Sequence, residues 1–86
     1  MFTDDARVAA IDTYFGQQVK QLRAACGFSQ EELAFLAGIS GSYLGRLERG
    51  EKSPTIGIVQ KVAEALGMST SELMRTVDES MANESS

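Results

Sequence analysis

The sequence predicts an all-α domain. Apolar residues recur at spacings of three and four along most of the chain, which places them on one face of a helix. Clear strand-like runs are absent, and the 86 residues include a single proline. Serine, threonine and glycine residues stand where helices would begin and end. The length suffices for one compact helical core and is too short for two.

The first predicted helix covers about residues 4–25. Its apolar residues share one face: Val8, Ile11, Phe15, Val19 and Leu22. A threonine and two aspartates at residues 3–5 provide a cap and carboxylates at the positive end of the helix dipole. Asp12 is equally suited to begin a helix, which would leave residues 1–12 as a separate arm. The sequence leaves both alternatives open.

Two short helices joined by a tight turn are predicted between residues 29 and 50. Ser29 and Glu32 form a capping box at the start of the first helix. Its apolar positions follow at helical spacing: Leu33, Leu36 and Ala37. Gly38 can adopt the left-handed conformation that ends this helix, and Ser40 caps the second. This arrangement is the helix-turn-helix supersecondary motif.

The second helix of this motif has two different faces when its residues are projected at about 100° each. Leu44 and Leu47 define the side that faces the core. The opposite face carries Ser42, Gly45, Arg46 and Arg49. Small residues allow close approach to a surface, and arginine binds phosphates and guanine edges well. The alternative is an ordinary solvent-exposed helix face.

Two further helices are predicted after the motif. Thr55 caps the fourth helix, in which apolar residues again share a face: Ile56, Val59, Val62, Ala63 and Leu66. Ser69 and Glu72 form a second capping box that opens the fifth helix. Residues 82–86 have nothing to bury and are expected to fray.

The fifth helix carries an apolar stripe in which Leu73, Val77 and Met81 recur every four residues, with Met74 beside them. A small bundle buries only one side of such a helix, and Leu73 is expected to face the core. We therefore expect this stripe to form the interface of a homodimer, with Met74, Val77 and Met81 on the surface that a partner covers. The alternative is that the stripe packs against the first helix around Val8 and Ile11.

The charge distribution separates the middle of the chain from its ends. The net charge of −4 and the pI of about 4.6 are unfavourable for binding phosphates. However, six of the eight Lys and Arg residues lie within residues 14–61, against four of the twelve Asp and Glu residues. The motif therefore lies in the positive part of an acidic protein, and we expect weak non-specific affinity for DNA.

Several function classes are excluded by composition. The chain has no histidine, no metal-ligand cluster and no glycine-rich phosphate loop, so we expect no enzyme, metal or cofactor. The single cysteine, Cys26, cannot form an intramolecular disulfide; we expect a core thiol, with a reactive thiol as the alternative. The acidic N-terminus and the lack of a long apolar run predict a cytoplasmic protein without membrane contact.

Six segments of the chain form a recognisable pattern: Gln21-Leu-Arg-Ala-Ala-Cys-Gly-Phe-Ser-Gln-Glu-Glu-Leu-Ala, Ala37-Gly-Ile-Ser, Tyr43-Leu, Leu47-Glu-Arg-Gly50, Pro54-Thr and Ala63-Glu-Ala-Leu-Gly-Met-Ser. In these segments the chain resembles the lambda-repressor/Cro-like helix-turn-helix family. The resemblance spans residues 14–76 and implies a compact five-helix bundle, usually a homodimer. It also implies that the second motif helix enters the DNA major groove. The size is similar to restriction–modification controllers and to phage or plasmid repressors.

This resemblance implies a division of the chain and a set of DNA contacts. Residues 1–13 form an arm or helix extension, residues 14–77 the DNA-binding domain, and residues 78–86 a tail. The positions expected at DNA are Gln30, Ser40, Gly41, Ser42, Tyr43 and Arg46, and the basic cluster adds Arg49 and Lys52. Arg23 and Glu48 match a structural ion pair. Gly41 and Gly45 stand where many relatives use side chains to read bases.

The expected function is sequence-specific regulation of transcription, as a repressor or autoregulator on a palindromic DNA operator. Whether binding represses or activates stays open. Glu31 lies where activating relatives contact RNA polymerase, although a carboxylate there also stabilises the helix start. The alternative function is a protein-interaction module, such as an antitoxin-like or anti-repressor domain, whose acidic surface meets a basic partner.

Overall fold

The computed structural model describes the backbone of residues 5–85 and the side-chain surroundings of residues 10–84. These residues form five helices and no strand. The helices are α1 (Asp5–Ala25), α2 (Gln30–Ala37), α3 (Gly41–Glu48), α4 (Ile56–Ala65) and α5 (Thr70–Ser85). The prediction of an all-α five-helix bundle with a helix-turn-helix motif is therefore confirmed.

The first helix is continuous. It runs through Asp12 without a break, so residues 5–12 extend α1 and form no separate arm. The predicted cap at Thr3 lies outside the described residues, as do the surroundings of Val8. Along the described part of the apolar face, Phe15 and Val19 are buried.

The predicted capping residues are found at the starts of α2, α4 and α5. The Ser29 hydroxyl accepts a hydrogen bond from the Glu32 amide at 3.0 Å, and the Glu32 carboxylate accepts one from the Ser29 amide at 2.7 Å. The same reciprocal pair joins Ser69 and Glu72 at the start of α5. Thr55 caps α4 through its hydroxyl. Both predicted capping boxes are therefore present.

The core lies where all five helices meet. α1 packs against α3 and α5, while α2 packs against α3 and α4, and α4 also packs against α5. Leu44 and Leu47 are fully buried, as the projection of α3 predicted. The other fully enclosed large side chains are Val19, Leu33, Val62, Leu73 and Val77.

Several residues lie elsewhere than predicted. Val77 is 0% exposed within the single chain, because α1 covers this side of α5, so Val77 is not available to a dimer partner. Leu36, expected inside, is 53% exposed, because Leu33 and Ala37 already fill the inner side of α2. Cys26 is exposed, since it follows the last residue of α1 and lies in the turn. Ile56 is 85% exposed at the first position of α4.

The fifth helix is longer than predicted. Residues 82–85 continue α5 in helical conformation, where we expected a frayed tail. Neither α1 nor α5 is interrupted at the proposed limits of the central domain, so the division at residues 13 and 77 stays a prediction. Within the described part of the chain, no helix is long and apolar enough to cross a membrane.

Candidate nucleic-acid interface

The position of α3 depends on a close crossing with α1 at Gly16. A β-carbon built on Gly16 would lie 2.3 Å from the carbonyl oxygen of Leu47 and 2.6 Å from that of Glu48. Only glycine has no such atom, so α1 can pack directly on the backbone at the end of α3. The loop after α3 is held against the same helix, because the Ser53 hydroxyl bonds to the Asp12 carboxylate.

An ion pair joins the same two helices. Arg23 donates two hydrogen bonds to the Glu48 carboxylate, of 2.7 Å from Nε and 3.0 Å from Nη2. The Arg23 side chain is 14% exposed and that of Glu48 is 3% exposed. The hydrogen bonds that Arg23 donates to Glu48 raise the pKa of the Arg23 guanidinium. The geometry confirms the expected ion pair between α1 and α3.

Two further groups complete this cluster. The remaining terminal nitrogen of Arg23 donates to the carbonyl oxygen of Phe28 at 3.0 Å, which ties in the α1–α2 turn. Gln30 donates from its side-chain amide to Glu48 at 3.0 Å. Glu48 thus links α1, α2 and α3, and all its buried oxygens are satisfied. Because of these bonds, α3 is a positioned helix with a defined outward face.

The end of α3 is also well defined. Gly50 has a positive φ of 75°, and its amide donates to the Leu47 carbonyl at 3.0 Å. The Glu51 amide then donates to the Arg46 carbonyl at 2.9 Å. This pair of bonds is the Schellman motif, for which glycine is preferred because the left-handed conformation strains other residues. The motif sets the direction of the loop and the position of Glu51.

The outward face at this end carries two arginines around one carboxylate. Arg49 bonds to Glu51 through Nε at 2.9 Å and Nη2 at 3.3 Å, and Arg46 lies 4.0 Å from the same carboxylate. The side chains of Arg46 and Arg49 are 50% and 60% exposed. The hydrogen bond from Arg49 lowers the pKa of the Glu51 carboxyl, so this group is ionised at neutral pH. The arginines are therefore accessible to an anion that displaces Glu51.

The structure brings most of the predicted contact residues together on or beside α3. Ser42 is exposed in its first turn, and Gly41 and Tyr43 are partly buried beside it. The Ser40 hydroxyl accepts from the Tyr43 amide, so it serves as the helix cap. Lys52 lies in the following loop, partly buried. Gln30 is adjacent at the start of α2, but its amide group is bonded to Glu48.

Gly45 differs from the projection, which placed it on the outer face. It is buried, because the side chains of Gln30 and Arg49 extend over it. A β-carbon on Gly45 would lie 3.2 Å from Nη1 of Arg49 and 3.3 Å from Oε1 of Gln30. The missing side chain therefore leaves room for these two polar groups.

Two residues of this site were missed in the sequence. Gly16 interrupts an amphipathic helix, and an isolated glycine in a helical pattern is a signal of close packing. Glu51 follows two arginines closely in the chain, which makes an ion pair possible but does not select its partner. Gly16 packs against the inner side of α3, and Glu51 contacts the arginines at its outer end.

Comparison with known proteins identifies the family to which the chain belongs. Residues 19–73 match a protein-family model described as Helix-turn-helix. The chain is 41% identical over 64 residues to the uncharacterized HTH-type transcriptional regulator y4dJ of Sinorhizobium fredii, covering 74% of this chain and 83% of that protein.

Solved structures give the same result. The restriction-modification controller protein C.AhdI from Aeromonas hydrophila superposes with a TM-score of 0.72 at 44% identity, covering 74% of this chain and 97% of the other. The clp gene regulator ClgR from Corynebacterium glutamicum gives a TM-score of 0.82 at 31% identity, covering 87% and 80%. The expected resemblance is confirmed: the chain belongs to the helix-turn-helix family of transcriptional regulators.

Proposed function

We propose that this protein regulates transcription in the cytoplasm by binding a palindromic DNA operator as a homodimer, without catalysis. The observation that carries the proposal is the placement of α3. Its inner side is fixed by Gly16 and by the Arg23–Glu48 pair, while Ser42, Arg46 and Arg49 face outward. A rigid helix with small residues at its start and arginines at its end suits entry into a major groove.

The residues near DNA have different roles in this proposal. Arg46, one turn into α3, reads a base edge, because arginine pairs bidentately with guanine. Arg49 and Lys52, at the end of α3 and beyond, bind phosphates, which position the protein but carry no sequence information directly. Ser42 and Gly41 allow close approach at the start of α3. Gln30 contributes through its hold on Glu48 as well as through any contact of its own.

A homodimer is proposed because one recognition helix covers too few base pairs to select a genomic site. Two-fold pairing places two such helices on half-sites about one helical turn apart. With Val77 buried, support for a pairing surface comes from Met74, which is partly exposed, and from Ile56, which is 85% exposed. Ile56 lies one turn before Val59, and Val59 and Met74 line one cavity. Met81 is partly buried further along α5.

The decisive experiment is a gel-shift titration with the DNA upstream of the protein's own gene. We expect a discrete complex that survives an excess of unrelated duplex. Raising the salt concentration should weaken it, with each neutralised phosphate adding about −0.9 to the slope of log affinity against log salt. Arg46→Ala at the same concentrations is the matched control, because it removes the proposed base contact.

Loss of the complex at the first addition of unrelated duplex would contradict sequence-specific binding. An affinity that does not change with salt would contradict the role of the arginines. If the protein is instead a pure protein-interaction module, it should form no complex with any duplex even at low salt. These three outcomes separate the candidate functions.

A contact with RNA polymerase is a further part of the proposal. The outward side of α2 exposes Phe35 to 84% and Leu36 to 53%, and both line one hollow with the acidic residue Glu31. An apolar patch with an acidic border suits a basic protein surface. Glu31→Lys should change transcription from the target promoter while leaving operator affinity nearly unaltered. Equal loss of both would show that Glu31 acts on DNA binding instead.

A further inference from the structure

We propose that Glu51 occupies the place of a DNA phosphate on Arg49 in the free protein and thereby lowers its affinity for every DNA sequence alike. This inference rests on the proposed function. It assigns Glu51 the role of a positioning residue, which acts through Arg49 and sets the strength of backbone binding.

The geometry of the pair supports the substitution. Nε and Nη2 of Arg49 donate to the two oxygens of Glu51, at 2.9 Å and 3.3 Å. A phosphate uses the same two-pronged arrangement on a guanidinium group. The carboxylate therefore occupies the Nε and Nη2 edge of Arg49, one of the two edges at which a guanidinium group binds a phosphate with two hydrogen bonds.

The position of Glu51 is set by the backbone and not by a chance encounter of surface side chains. Its amide donates to the Arg46 carbonyl in the motif that ends α3. This bond keeps the carboxylate beside both arginines, with Arg46 at 4.0 Å. The side chain is 49% exposed, so an incoming DNA strand can reach the pair.

One consequence follows when DNA binds. The hydrogen bonds from Nε and Nη2 of Arg49 to Glu51 must break before these two donors can meet a phosphate. This exchange opposes binding. It acts on phosphate contacts, which contribute to specific and non-specific complexes alike. Glu51 therefore reduces affinity without changing base preference, since its contact with Arg49 is closer than its approach to Arg46.

The test compares Glu51→Gln with Glu64→Gln, which makes the same change of net charge on the exposed side of α4. Each protein is titrated with the operator duplex and with an unrelated duplex over a series of salt concentrations. Glu51→Gln should tighten binding to both duplexes by up to about fivefold at low salt, the range of an exposed ion pair, and this gain should shrink as the salt concentration rises. Glu64→Gln should leave binding to both duplexes nearly unchanged.

A double variant tests whether the effect passes through Arg49. In the Arg49→Ala background, the additional change Glu51→Gln should no longer tighten binding, because the pair is already broken. Tightening that persists there would overturn the proposal, since it would show direct repulsion of DNA. Equal effects of Glu51→Gln and Glu64→Gln would also overturn it. Circular dichroism establishes that each variant is folded.

The same titrations distinguish this inference from the proposed function. If the wild-type protein binds neither duplex at low salt, the proposed DNA-binding function itself is wrong. If the wild-type protein binds the operator with an affinity that falls as salt rises, but Glu51→Gln does not change the affinity for either duplex, only the proposed role of Glu51 is wrong.

Discussion

Gly16 of α1 lies against the carbonyl group of Leu47 at the end of α3, so closely that a β-carbon would stand 2.3 Å from the oxygen. The contact is between two backbones, and neither can rotate away as a flexible side chain would. This crossing and the Arg23–Glu48 pair both connect α1 to α3. The orientation of the recognition helix is thus set by α1, a helix outside the helix-turn-helix motif.

Gly16→Ala should therefore destabilise the protein, even though alanine is the better helix former. Overpacking against backbone costs about 1–3 kcal/mol, and the free energy of unfolding in urea should fall by this amount or more. Gly57→Ala is the matched control, because its β-carbon would meet only the Thr55 hydroxyl, at 3.8 Å. That variant should gain up to about 1 kcal/mol. Equal behaviour of the two variants would contradict the close crossing.

Glu48→Ala should leave Arg23 charged, largely buried and without its main partner. Breaking a buried ion pair costs about 3 kcal/mol or more, measured as the free energy of unfolding. The double variant Arg23→Met/Glu48→Leu removes both charges and should recover most of that loss. If the double variant is as unstable as Glu48→Ala, the pair stabilises the fold by more than keeping each buried charge compensated.

Arg46→Ala should cost about 1–3 kcal/mol in operator binding and relax the preference at one base pair of each half-site. Arg49→Ala should weaken all sequences more evenly, because a phosphate contact does not depend on the base. Binding-site selection with each variant measures the difference. An unaltered preference after Arg46→Ala would refute its assignment as the base reader.

Met74→Asp and Val77→Asp should have different effects, because only Val77 is fully buried. Val77→Asp places a carboxylate in the core and should unfold the chain, as seen by circular dichroism. Met74→Asp should give a folded monomer by sedimentation, with operator affinity lost. A folded Met74→Asp protein that remains dimeric would place the interface elsewhere, and Ile56→Asp then tests the start of α4.

The sequence predicted the helices well because their signals are local. A capping box such as Ser29 with Glu32 lies within four residues, and its hydrogen bonds are those expected. The inward positions of Leu44 and Leu47 follow from the helical period alone. The Arg23–Glu48 pair is separated by 25 residues, and its prediction depended on the family resemblance.

Some residues can face either of two neighbouring helices, and the helical period of the sequence does not predict whether they are buried. Val77 belongs to the apolar side of α5, but the long α1 covers more of that side than expected. Gly45 lies on the outward half of α3, and only the positions of Gln30 and Arg49 bury it. Such assignments depend on which side chains meet across helices, information that one helix does not contain.

α1 packs against α3 and also against α5. In the proposed dimer, it would therefore connect each recognition helix to the helix that carries Met74. The separation of the two recognition helices would then depend on how α1 packs against both neighbours, and packed helix axes lie about 8–10 Å apart. Larger side chains along the seam of α1 and α5 would lengthen this separation. A helix remote from the bases would thus act as the ruler that selects the distance between operator half-sites.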